Sequence, residues 1–141
     1  MRFPAVAVPD LRAVETPADS LPSELDAALA AINARAMAAN SAFSANLDAA
    51  QALVSAAAGG APEADEWTSV QIRLAELTSH HSAAQLAMAD LDQLSARAEL
   101  ARSGPDKEAM ISELQAVLSQ TLGEQAQALA NINAQFTSTA R

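Results

Sequence analysis

The sequence predicts an all-α protein, with three long helices in an antiparallel, up-down-up bundle of coiled-coil-like packing behind an extended N-terminal tail. Two observations carry this. Apolar residues recur in alternating steps of three and four along most of the chain, which is the spacing of helices that bury one lengthwise face. Two breaks, Gly59-Gly60-Ala61-Pro62 and Ser103-Gly104-Pro105-Asp106, divide that periodic sequence into segments of similar length.

Residues 1–22 carry Pro4, Pro9, Pro17 and Pro22 among small and polar residues, a composition that opposes a continuous helix and predicts a flexible, extended tail. Such a tail serves either as a frayed terminus or as a docking or export segment. The folded domain is expected over 23–141. Ser23 with Asp26 resembles a capping box, and the seam Leu25, Leu29, Ile32, Ala36, Ala39, Phe43, Asn46, Ala50, Leu53 follows it, giving a first helix over about 23–58.

The second helix, about 63–103, opens on Glu63, Asp65 and Glu66, carboxylates that complement the positive end of the helix dipole. Its seam is Trp67, Val70, Leu74, Leu77, His81, Ala84, Met88, Leu91, Ser95, Ala98, with a histidine as the one ionisable member. Gly104 reads as the cap of this helix and Pro105 as the first residue of the third, about 105–138. The third helix sets Met110, Ile111, Leu114, Leu118, Leu122, Gln125, Leu129, Ile132 and Phe136 on one face. Gly123 interrupts it at a cost of about 1 kcal/mol against alanine, which points to a close approach by another helix. The octet ALAAINAR at 28–35 recurs as ALANINAQ at 128–135, a match that arises readily in alanine-rich helices and carries no architecture by itself.

Composition narrows the function. The net charge is −9, with 17 acidic against 8 basic residues and no basic cluster, which speaks against phosphate backbones and anionic membrane surfaces as partners. The absence of cysteine removes disulfides, thiolate metal sites and thiol catalysis. No apolar run is long enough to insert across a membrane, and Pro4, Pro9 and Asp10 break up any signal-peptide core. A cytoplasmic location, or export without a cleaved Sec signal, is expected.

The residues that could carry chemistry are few. Glu76 lies four residues before His80, so Glu76, His80 and His81 offer a partial metal site, yet no second His-containing motif completes it. At its seam position His81 is expected to be partly buried and hydrogen-bonded to a Ser, Gln or Asn of a neighbouring helix, fixing register. The same position would make it a pH switch if protonation charged the core. No nucleophile elbow or phosphate loop occurs, and acidic clusters such as Asp90-Asp92 read as solvated helix faces. No cofactor is implied.

Large anchors are scarce in this alanine-rich chain, which has one Trp and three Phe. Association is therefore a natural supplement to a modest core. Phe43, Leu47, Trp67, Leu129, Ile132 and Phe136 are the candidate interface anchors, and Trp67 reads equally as a core anchor under the 59–62 turn. The first helix bears only Glu24, Asp26, Arg35 and Asp48 as charges, and residues 114–136 only Glu124. Such small, weakly polar faces cost little to dehydrate. The resulting expectation is a non-enzymatic interaction or structural protein: a subunit of an oligomeric or filamentous assembly, or an adaptor, whose partner is a copy of itself or another helical protein. A secretion-associated helical protein, a bundle enzyme or metal-binding protein centred on Glu76, His80 and His81, and a coat for an apolar granule are the alternatives.

Overall fold

The computed structural model describes the backbone over residues 3–57 and 65–139, and side chains within those ranges from residue 23 onward, apart from residues 66 and 139. Three helices account for almost all of it: α1 (Phe3–Ala57), α2 (Asp65–Leu100) and α3 (Pro105–Thr139). α2 and α3 are nearly matched at 36 and 35 residues, about 54 Å each at 1.5 Å per residue. The Gly59-Gly60-Ala61-Pro62 break lies outside the described residues.

α1 departs from expectation. It starts at Phe3, so the segment read as an extended tail is helical, and Ser23 with Asp26 lies within the helix instead of opening it. Pro4 falls in the first turn, where an N–H has no intrahelical partner to lose. Pro9, Pro17 and Pro22 each remove one backbone bond, but they stand eight and five residues apart. The Ala, Leu, Glu and Arg between them are good helix formers that resume the ladder.

The seams are buried as the spacing predicts. On α1, Leu25, Leu29, Ile32, Ala36, Ala39, Phe43 and Ala50 are buried; on α2, Trp67, Val70, Leu77, Ala84, Leu91 and Ala98; on α3, Ile111, Leu118, Gln125 and Ile132. Met110 is the exception, lying exposed one position off the buried row that Ile111 occupies.

These residues form two apolar clusters. One joins Leu25–Ala36 of α1 to Ala87–Ala98 of α2 and to Ile111 and Leu118 of α3. The other joins Phe43–Ala57 to Val70 and Leu77 and to Ile132. Early α1 thus meets late α2 and early α3. Ion pairs Arg35–Asp90 (2.6 Å) and Asp26–Lys107 follow the same pairing on the surface, where each is worth up to about 1 kcal/mol.

The α2–α3 turn is built differently from its sequence reading. Arg102 takes the left-handed conformation, φ 53°. Its N–H donates to the Glu99 carbonyl (3.1 Å) and the Ser103 N–H to the Ala98 carbonyl (3.1 Å), which together make a Schellman cap. The capping residue is therefore Arg102, two positions before the expected Gly104. Gly104 also has positive φ, 102°, and its carbonyl accepts the Glu108 N–H that opens α3. Gly123 is exposed with open space around it, so no helix approaches there and the expected close contact is corrected.

Three substitutions follow, two expected to stabilise and one to destabilise. Arg102→Gly relieves a left-handed non-glycine residue and is expected to raise unfolding free energy by about 1 kcal/mol, and Gly123→Ala by about 0.5–1 kcal/mol. Gly104→Ala introduces strain at positive φ and is expected to lower it. Urea unfolding followed by circular dichroism measures all three.

Candidate functional site

The one buried polar side chain among the described residues is Gln125, 4 % exposed, on the core face of α3. Its amide Nε2 donates to Asn40 Oδ1 of α1 at 2.7 Å. Its Oε1 lies 2.9 Å from His81 Nδ1 of α2, and because a carbonyl oxygen only accepts, Nδ1–H is the donor. The Phe43 ring leans on the imidazole, with centroids 6.3 Å apart. Each helix contributes one residue, and the chain Asn40–Gln125–His81 crosses the bundle between its two apolar clusters. The seam histidine is hydrogen-bonded to a Gln of a neighbouring helix, as its position predicts. Asn40 is the member that sequence reading missed, because it stands beside the seam position Ala39 and only the three-helix geometry brings it inward.

The metal candidates do not converge. Glu76 pairs with Arg73 at 3.1 Å, and Arg73 also donates to Asn46 of α1 at 2.9 Å. His81 is engaged with Gln125, and its neighbour His80 is half-buried on another side of the helix. Among the described residues no group of three or more His, Asp or Glu side chains is placed to hold a metal ion.

The six candidate interface anchors are brought together, but inward. Phe43, Trp67 and Ile132 are buried, and Leu47, Leu129 and Phe136 are half-buried. Five belong to the second cluster, and Trp67 packs on Phe136 with ring centroids 4.8 Å apart. Large apolar side chains at seam positions are drawn to the nearest apolar surface, which is the chain's own. In this arrangement Phe43, Trp67 and Ile132 serve as core, and Leu47, Leu129 and Phe136 stay partly exposed at its edge.

A groove of about 800 Å³ runs between α1 and α3, lined by Asp26, Leu29, Ala30, Asn33, Lys107, Met110, Glu113, Leu114 and Val117. A shallower continuation is lined by Asn40, Phe43, Ser44, Leu47, Thr121, Glu124, Gln125 and Ala128. Met110 and Val117 are exposed along it. The lining advances at the same rate on both helices, from Asp26 beside Lys107 to Leu47 near Ala128. The groove is therefore the long interhelical furrow that α2 leaves uncovered, and it carries Asp26, Lys107, Glu113 and Glu124 among its lining residues.

Gln125→Ala is expected to cost about 1–3 kcal/mol by leaving Asn40 and His81 unpartnered. Replacing Asn40, His81 and Gln125 together by Leu is expected to restore or exceed parental stability while broadening the set of packed states. Melting temperature together with the number of amide peaks in a heteronuclear NMR spectrum tests the pair; parental peak count in the triple variant would deny the layer a role in specifying register. Comparison with known proteins returns no matching family model, no matching curated protein and no matching solved structure.

Proposed function

We propose that this chain is a non-enzymatic helical interaction protein, an adaptor or a subunit of a larger assembly, whose α1–α3 groove receives a helix of a protein partner. The observation that carries the reading is the exposure of Met110 and Val117 in a furrow between two helices. An apolar strip bounded by two helices is the shape into which a third amphipathic helix lays its own apolar face.

The rim states what that helix carries. Glu113 and Glu124 line the groove on α3, eleven residues or about three turns apart. Neither makes an ion pair among the described residues. A partner helix with small or medium apolar residues on one face and Lys or Arg three turns apart at its edge is complementary to both. The non-enzymatic reading draws support from how the polar groups near the core are used: Gln125 binds both Asn40 and His81, half-exposed Glu76 pairs with Arg73, and the one buried side-chain polar atom without a partner among the described residues is Trp67 Nε1, an indole N–H. No helix of the described residues is long and apolar enough to cross a membrane, which leaves the compartment open.

Titration calorimetry with a 25-residue Ala/Leu helical peptide bearing Lys residues eleven apart tests the proposal. Binding in the micromolar range, about −8 kcal/mol, is expected for the parent. A loss of at least tenfold is expected for Val117→Glu with Met110→Glu, at unchanged melting temperature. No heat with the parent protein, or equal binding by the variant, would sink it.

A further inference from the structure

α2 carries a second seam on the face opposite its buried one. From Ile72 to Leu100 the same three-four alternation picks out a row in which every residue is exposed and none is charged. Three of the large exposed apolar side chains fall on it at intervals of fourteen residues: Ile72 at 55 %, Leu86 at 65 % and Leu100 at 86 % exposure. Between them stand Ala, Ser and the single amide Gln93. The buried seam of this helix keeps the same period along its length, so the outer row also stays on one line for about 42 Å.

We infer that this outer row is a self-association surface, on which α2 of a second copy packs antiparallel to form a two-fold dimer. The spacing favours that direction. In a parallel pair like residues meet, so Ile72, Leu86 and Leu100 would each face themselves while the Ala and Ser layers between them left gaps. Antiparallel, with Leu86 set against Ala89 of the other copy and Leu100 against Ala75, these two large residues each meet an alanine and Gln93 meets Ser82, while Ile72 falls opposite position 103, just past the end of the partner helix. The two helices then keep a constant separation.

Charge picks the same register. The flanking position after Ala75 holds Glu76 and the one after Ala96 holds Arg97. In the Leu86-on-Ala89 register these two face each other across the dyad, twice per dimer. Sliding α2 by one turn, so that Leu86 meets Ser82, brings Glu76 against Asp90 instead, a repulsive pair. Glu76 is half-exposed and bound only to Arg73 of its own helix, so it stays available at the rim. A two-fold axis requires a surface complementary to itself, and this row meets that condition in both size and charge. It lies away from the α1–α3 groove, so the two surfaces fail or hold independently.

Light scattering coupled to size-exclusion chromatography on the full chain, over a concentration series, is the first test. The expected mass is twice 14.5 kDa, falling to 14.5 kDa for Leu86→Glu with an unchanged circular dichroism spectrum. Glu76→Arg and Arg97→Glu are each expected to weaken the dimer at least tenfold, and their combination to restore it. Because the chain has no cysteine, mixing Ser79→Cys protein with Ala96→Cys protein under oxidation is expected to give the mixed disulfide-linked dimer. A monomer at every concentration, a dimer that survives Leu86→Glu, no rescue by the double charge exchange, or cross-linking of each cysteine variant only to itself would overturn the inference.

Discussion

The structure depends on how closely α1 and α2 can approach through buried alanines. Ala36, Ala39, Ala50 and Ala57 on α1 and Ala84, Ala87 and Ala98 on α2 are buried, at or beside the seams. A methyl group there removes little area from water but brings two backbones near. Close approach lets the few large residues reach across the interface: Leu77, Leu91, Leu94, Ile111, Leu118 and Ile132 are almost fully enclosed. Dispersion contacts summed over many near neighbours compensate for the shortage of aromatic bulk.

Alanine seams fit many alignments, however, and a heptad slip along one costs little by itself. The Asn40–Gln125–His81 layer supplies the missing discrimination. Its two hydrogen bonds form only when those three residues lie at one level, and a displaced helix would set buried Gln125 against Leu or Val. The layer contributes less to the depth of the native minimum than to its uniqueness. Asn46, through Arg73, adds a lateral tie of the same kind between α1 and α2.

How much was legible beforehand varied with the physics of each feature. Seam burial was legible because the helical period alone decides which residues share a face, and each α2 seam residue from Trp67 to Ala98 is buried or half-buried. His81 was legible as a hydrogen-bonded seam residue for the same reason. The helical backbone from Phe3 was not, because single-residue penalties for proline do not show whether the turns between them compensate. Nor was the cap at Arg102, where two backbone bonds outweigh the left-handed penalty of a non-glycine residue. The anchors Phe43, Trp67 and Phe136 were correctly picked as large apolar side chains, but size does not say whether a chain uses such groups on itself or offers them outward. The groove and the outer α2 row emerge only once the faces of all three helices are assigned.

The polar layer also divides the molecule along its axis. Residues of the first cluster stop at Ala36, Ala87 and Leu118, and those of the second begin at Phe43, Leu77 and Ile132. Fraying that starts at either end of the bundle therefore reaches a plane of hydrogen bonds before it reaches the other apolar half. Each half has its own threshold for opening, and amide exchange at one end need not track that at the other. In a bundle built this way Asn40, His81 and Gln125 mark the level at which two short apolar halves are held in one line.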